Sequence, residues 1–337
     1  MSSNTISPRE NMPLAVYGGY IDDNEKLMKS ASGGIATALS ERMIELGGYV
    51  AGAAYDASFE KIEYIIVDNI NDLDKLKCSK YAESEKNNIY IRTIELLKQG
   101  HSVLFTGLPC EVAALNKMTG GKYDSLITCE LVCHGPTLKK VHQEYICYLK
   151  EKYKSQLVAF NLRYKKNGWH PSYLQAVFAN GVVYEKPFYH TEYGVAFSIL
   201  SRPACFKCAF KGERSTADIT IGDYWGAQES DVFWNENGVS VIFVHTTKGY
   251  NYLRDIEKVR LFESSFEHAV AKNQNVIRPR KKPDNYDVFL ELFETRGLKY
   301  AVKQTQSMKS NIISLIRLCI PQRLITLLKK LSAQLKS

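Results

Sequence analysis

The sequence predicts an α/β to α+β protein: a mixed sheet with flanking helices, then an antiparallel strand region, then a C-terminal helical tail. Three observations carry this expectation. In the first half, short β-branched runs alternate with stretches of helical periodicity. After residue 150, strand-like runs follow one another, and Asn180-Gly181 between two of them is the strongest short hairpin signal. From Gly297 to Ser337 the chain carries cations and no Asp or Glu.

Taken in order, Val16 to Ile21, Tyr49 to Tyr55, Ile62 to Val67, Ser102 to Phe105 and Leu126 to Val132 read as strands. Between the first two, Ile35, Ala38, Leu39, Met43 and Leu46 recur at helical spacing and stop at Gly47-Gly48. A second helix fits Ile89 to Leu97 before Gly100. A third opens at Pro109, where proline loses no hydrogen bond, and runs to Met118. Phe160 to Tyr164, Tyr173 to Phe178 and Val182 to Tyr184 form the antiparallel region, Ala217 to Gly222 and Val239 to His245 add two apolar strands, and Phe266 to Pro283 reads as a connector. A soft boundary falls near Leu149 to Gln156. The expected division is 1–14, a flexible N-terminus; 15–150; 151–300, with a Cys-x-x-Cys pair and the Gly222-Asp223-Tyr224-Trp225-Gly226 segment; and 301–337, a basic tail.

A length of 337 residues suits about two domains. With 45% hydrophobic and 24% charged residues, the composition excludes a disordered or fibrous chain. The net charge of +8 is all in the tail, which leaves the body neutral and argues against nucleic acid as a partner. The polar start and the lack of an 18-residue apolar run predict a cytoplasmic protein. Eight cysteines are too sparse for a disulfide scaffold, so in a reducing compartment they read as metal ligands or buried thiols.

Cys205-Phe206-Lys207-Cys208 has the spacing that turns two thiolates toward one metal or cluster. The same spacing also serves dithiol redox chemistry. Completing four ligands needs two more, and Cys110 and Cys133 follow the ends of two predicted strands, where an open sheet binds ligands. Zinc and an iron-sulfur cluster both fit at this level. Cys129 and Cys147 lie inside strand and helix patterns and read as small core residues, Cys319 lies in the tail, and Cys78 has no assigned role. Ser30-Ala31-Ser32-Gly33-Gly34 precedes the first long helix, where free amides and the helix dipole attract phosphate, although such a turn also serves as a plain cap. Neither a Gly-x-Gly-x-x-Gly fingerprint nor a P-loop is present. Asp223, Tyr224 and Trp225 read as a buried aromatic corner with a capping aspartate.

Ser30 to Gly34, Ser79-Lys80-Tyr81, Leu104 to Cys110, Val132-Cys133-His134-Gly135-Pro136, Arg202 to Cys208 and Ala217 to Gly226, in this order, resemble the β subunit family of coenzyme F420 hydrogenases and dehydrogenases. The resemblance spans about Ala15 to Tyr300. It implies FAD at the end of the sheet and one four-iron, four-sulfur cluster beside it, exchanging single electrons with a flavin that handles hydride. On this reading 15–150 is the flavin-binding part, and Cys110, Cys133, Cys205 and Cys208 are the cluster ligands. Ser30, Ser32, Gly33, Gly34, Ser79, Lys80, Tyr81, Gly107 and Gly135 bind the flavin. The implied catalytic residues are Lys80, a cation near the flavin ring, and His134, which donates to the flavin or orients Cys133.

The chain departs from longer members in lacking a Cys-x-x-Cys-x-x-Cys ferredoxin module ahead of Ser30, and in Leu108, Glu111 and Cys78 within the motifs. An external ferredoxin or redox partner subunit, or a soluble reduced cofactor, is therefore the expected electron partner. Coenzyme F420 or another hydride carrier is a candidate substrate. Short bacterial members accompany surface-polysaccharide synthesis, which by analogy adds a small-molecule sugar or lipid-linked substrate. Leu324, Ile325, Leu328, Leu331 and Leu335 share one helical face with cations elsewhere, so the tail either docks on a partner or the inner membrane surface or packs on its own domain. Two rival readings keep the cysteines without the reaction: a non-catalytic electron-transfer subunit and a zinc-stapled binding protein.

Overall fold

A computed structural model of the chain describes residues 12–212 and 215–306, and the tail expectations, including Cys319, lie outside the described residues. Eleven strands and ten α-helices are formed among the described residues. They run β1 (Ala15–Ile21), α1 (Asn24–Lys29), α2 (Ile35–Glu45), β2 (Tyr49–Tyr55), β3 (Ile62–Val67), α3 (Ile89–Lys98), β4 (Val103–Gly107), α4 (Pro109–Thr119), β5 (Leu126–Leu131) and α5 (Lys139–Tyr153). Then come β6 (Leu157–Tyr164), β7 (Tyr173–Phe178), β8 (Val183–Pro187), α6 (Glu192–Ile199), β9 (Ile219–Asp223), β10 (Ser240–Val244), α7 (Thr247–Arg254), β11 (Val259–Glu263) and α8 (Phe266–Ala271). Two helices, α9 (Tyr286–Arg296) and α10 (Leu298–Thr305), form a separate unit that begins at Pro283 and are joined at Gly297, whose φ of 80° glycine adopts without strain.

The main sheet has eight strands in the order β11-β1-β10-β9-β5-β4-β2-β3. β2, β4, β5 and β9 are mutually parallel, while β10 and then β1 alternate in direction, so the C-terminal ends of β1, β2, β4, β5 and β9 share one edge. The sheet takes strands from both sides of residue 150, so the two parts of the chain interleave. β6, β7 and β8 form a separate antiparallel sheet, turned at Gly181 (φ 85°) as the Asn180-Gly181 signal predicts. This mixed sheet with flanking helices is the fold class expected from sequence.

Both faces of the large sheet are covered, as a largely parallel sheet requires. Ile35, Leu39 and Met43 of α2 and Leu253 of α7 pack on one face against Leu104, Ile127, Ile219 and Ile242. On the other face, Ile89 and Leu97 of α3 and Val112 and Leu115 of α4 meet Ala51, Val103 and Phe105. Farther along that face, Ala269 and Val270 of α8 join Tyr224, Phe233 and Phe243.

Two expectations need correction. Phe266 to Pro283 is not all connector: Ser265 caps it by accepting from the His268 amide, and α8 follows. Cys147 is exposed, not a core residue, because α5 buries Val141, His142, Tyr145, Ile146 and Leu149 on a face that position 147 does not share.

Asp218 ties β9 to its neighbours. Its carboxylate accepts from the Thr128 amide (2.8 Å) and hydroxyl (2.9 Å) and from the Thr246 hydroxyl (2.7 Å). Asp218→Ala strands these buried donors and should lower unfolding free energy by about 2–4 kcal/mol in urea titration. A loss under about 0.5 kcal/mol, the range of an ordinary surface change, would show that the network does not bind β9 to β5.

Candidate functional site

The shared strand edge opens into a cavity of about 410 Å³. Its walls come from the Ser32 turn, the ends of β4, β5 and β9, and the segment around Lys80. Such a crevice at strand C-termini is the usual ligand position in open α/β sheets.

The Ser30 to Gly34 turn is built from inside. The Ser30 and Thr37 hydroxyls pair at 2.9 Å, and Ser32 Oγ donates to the Val239 carbonyl at 2.8 Å. The Gly33 amide donates to Ser240 Oγ at 2.9 Å. A Cβ on Gly33 would stand 2.3 Å from the Gly19 carbonyl oxygen, so only glycine fits. Gly34 starts α2 in the left-handed region (φ 78°), and no side chain caps the first amides of that helix. Ala36, Thr37 and Ser40 of α2 line the cavity. The two serines therefore shape the turn with their hydroxyls, and the end of α2 is left to face the cavity with its dipole.

Ser79, Lys80 and Tyr81 also line the cavity, held there because the Thr137 amide donates to the Tyr81 carbonyl at 2.8 Å. Lys80 Nζ donates to the carbonyls of Lys75 (3.0 Å), Lys77 (2.7 Å) and Cys78 (3.3 Å). Its three ammonium protons are thereby engaged, and burial lowers its pKa to about 8. The Tyr81 ring stacks on Phe197 at 4.5 Å.

Cys110 lies in the first turn of α4, and Cys133 follows β5. Gly135 (φ 110°) presses its backbone on Cys205: a Cβ there would lie 3.2 Å from Cys205 Cβ and 3.4 Å from its sulfur. Arg202 Nη2 reaches Cys110 Sγ at 3.9 Å, which brings the 202–208 segment against α4. Burial pushes the Cys133 thiol up to about 12, with Cys110 and Cys205 adding to the rise, while burial, Glu111 and Cys208 raise that of Cys110. Of the four thiols named from the sequence, Cys133 lines the cavity, Cys110 and Cys205 lie near Cys133, and Cys208 lies near Cys110. Among the described residues, no three His, Cys, Asp or Glu side chains converge as ligands on a single ion.

The His134 ring lies tilted against Phe197, centroids 4.9 Å apart, and its Nδ1 accepts from Arg280 at 3.3 Å, which leaves the proton on Nε2. Burial, then the Arg280 charge, lowers its pKa to about 4, so the ring is neutral. Gly107 ends β4 with no room for a side chain, since a Cβ would lie 2.7 Å from Tyr64 Oη.

Several residues of the site are not legible as motifs. Glu111, 6% exposed, accepts from the Leu108 amide (2.8 Å) and Tyr64 Oη (2.5 Å) and pairs with Lys86 (2.5 Å), fixing the turn that carries Cys110. Arg163 and Asp223 form a buried pair at 2.7 Å, and Trp169 Nε1 donates to the same carboxylate at 3.0 Å. Burial raises the Asp223 pKa, but Arg163 and His170 outweigh it and hold the carboxyl below its usual range. Asp223 is an ion-pair partner, not a cap; Tyr224 is fully buried as expected of an aromatic corner, while Trp225 is 36% exposed and lines the cavity. The available signal for Arg163 was its alternation with Lys165 at the end of β6, a pattern that reads equally as a solvated strand edge.

Arg163→Met leaves Asp223 buried without its cation and should cost about 3–5 kcal/mol of stability, read by denaturant unfolding. An unchanged midpoint would show that solvent reaches the carboxylate.

Comparison with known proteins follows the same lines. The model of the C-terminal region of the coenzyme F420 hydrogenase/dehydrogenase beta subunit matches residues 100–267, a span that takes in all four cysteines and His134 but not the Ser30 turn or Lys80. The fold is similar to that of a chain in the F420-reducing NiFe hydrogenase complex from Methanosarcina barkeri, solved with xenon, at a TM-score of 0.54 and 17% identity. That match covers 80% of this chain and 92% of the other. No curated protein matches the sequence.

Proposed function

The chain belongs to the coenzyme F420 hydrogenase/dehydrogenase beta subunit family, and on that premise we propose that it is an oxidoreductase that uses FAD and a four-iron, four-sulfur cluster side by side. The observation that carries the reading is one cavity with an uncapped helix start at one wall and Cys133 at another, where the free Cys110 and Cys205 lie near Cys133 and Cys208 lies near Cys110. Bound there, the cluster would move single electrons and the flavin would move hydride, so the pair would convert one kind of reducing equivalent into the other.

The donor set fits both groups. Cys110, Cys133, Cys205 and Cys208 would hold the cluster. A four-iron cluster takes one thiolate per iron, so its ligands surround a volume without meeting at a point, in keeping with thiols that neighbour one another but do not converge. The Gly135 amide, 3.2 Å from Cys133 Sγ, and Arg202 at Cys110 would donate to the bound sulfurs. The FAD pyrophosphate would take the uncapped first amides of α2, since those of Ser30, Gly33 and Gly34 already donate within the protein. Tyr81 and Phe197 form an aromatic wall of the cavity, and the Arg163–Asp223 pair, neutral as a whole, lines it as well. Lys80 would act through the field of its ammonium group, since its protons already hold three carbonyls.

The electron partner in this proposal is a separate redox protein or subunit, which the hydrogenase complex of the similar chain supports. The hydride partner is a small molecule, coenzyme F420 or another carrier. A surface-polysaccharide or lipid-linked substrate, and a tail resting on the inner membrane surface, extend the proposal beyond the described residues; none of the described helices is long and apolar enough to cross a membrane.

Iron and acid-labile sulfide measured on anaerobically purified variants test the ligand set. Cys133→Ala and Cys205→Ala should lose most of the roughly four iron and four sulfide per chain, whereas the exposed Cys147→Ala should keep them. Iron loss in Cys147→Ala with retention in Cys133→Ala would overturn the assignment.

A further inference from the structure

Lys165 stands one residue past β6 and is 3% exposed. Its Nζ donates to the carbonyls of Leu27 at 2.7 Å and Ser32 at 2.6 Å, so one buried ammonium from beyond residue 150 grips the end of α1 and the Ser30 to Gly34 turn together. Room for it depends on Gly238 (φ 128°), where a Cβ would stand 2.3 Å from the Ser32 carbonyl oxygen and 3.1 Å from Lys165 Nζ. Neither of its hydrogen bonds goes to a carboxylate. The Asp223 carboxylate beside it is already paired with Arg163, so this ammonium has carbonyl dipoles, not a carboxylate, as its hydrogen-bond partners.

We propose that Lys165 is the positioning residue of the anion-binding turn: it fixes Ser32 from behind and supplies the charge that a phosphate-bearing ligand in front of the turn neutralises. This rests on the flavin reading of the turn. A buried ammonium without a counterion is costly, and an anion brought within a few ångströms removes much of that cost, so ligand binding and protonation of Lys165 favour one another.

The charged and titratable groups that face it are Arg163 on its own strand, Asp223 at the end of β9, His170 and Cys78. Burial, then Arg163, lowers the pKa of Lys165 to about 7, with Cys78 and Asp223 acting the other way. A bound anion raises that pKa. Between the two values the ligand carries a proton in with it, so affinity is full below pH 7 and falls as pH rises past it. Lys80, lowered to about 8, contributes its own fall at higher pH.

The test compares FAD affinity of the full-length protein and of Lys165→Met from pH 6 to 9, together with amide hydrogen exchange at Gly33 and Gly34 in the flavin-free proteins. The variant should bind FAD at least about tenfold more weakly at pH 6.5, lose the dependence near pH 7 and keep that near pH 8. Its Gly33 and Gly34 amides should exchange faster while the core of the large sheet stays protected. Equal affinity, or an unchanged pH profile, would overturn the role. If wild-type protein binds no FAD, the flavin reading fails and exchange decides: faster exchange confined to the turn upholds positioning by Lys165, and unchanged exchange refutes it. Lys165→Gln, shorter but still an N–H donor, replaces Lys165→Met if that variant does not fold.

Discussion

The site depends on strand direction. Because β1, β2, β4, β5 and β9 all end at one edge of the large sheet, segments distant in sequence meet there: the Ser30 turn, Cys110, Cys133 and Asp223. Backbone hydrogen bonding in the ladder sets that convergence, and the side chains then specialise it. Reversal of β5 or β9 would place its following loop at the opposite edge.

Specialisation takes the form of buried charge satisfied by fixed partners. Glu111 holds the first turn of α4, Arg163 and Asp223 join β6 to β9, and Lys165 grips the Ser32 turn. Each of these groups would be costly to bury alone. Each links elements that the chain order separates, so the cavity wall is rigid because several ion pairs and hydrogen bonds must break together.

Much of the fold was legible in the sequence. β2, β3 and β7 have the ends expected from their β-branched runs, and α2 stops where the paired glycines stop it. Strand order was not legible, because nothing local in Val239 to His245 says that β10 will lie between β1 and β9. That Cys110 and Cys205 lie near Cys133 was legible in part, because spacing and strand ends restrict where thiols can meet. Arg163, Lys165 and Arg280 were not legible, since a cation reads as solvent-facing until tertiary structure supplies its buried partner. Cys147 shows the converse: membership in an apolar helix says nothing of which face a small residue occupies until the buried stripe is counted out.

The central claim is that one cavity brings a flavin and an iron-sulfur cluster together. Its most direct test is an absorption spectrum of anaerobically purified protein with iron, sulfide, zinc and extracted-flavin assays on the same sample. The account predicts FAD together with about four iron and four sulfide per chain. Zinc in place of iron, with neither flavin nor sulfide in protein from cells able to build clusters, would contradict it and leave a metal-stapled binding protein.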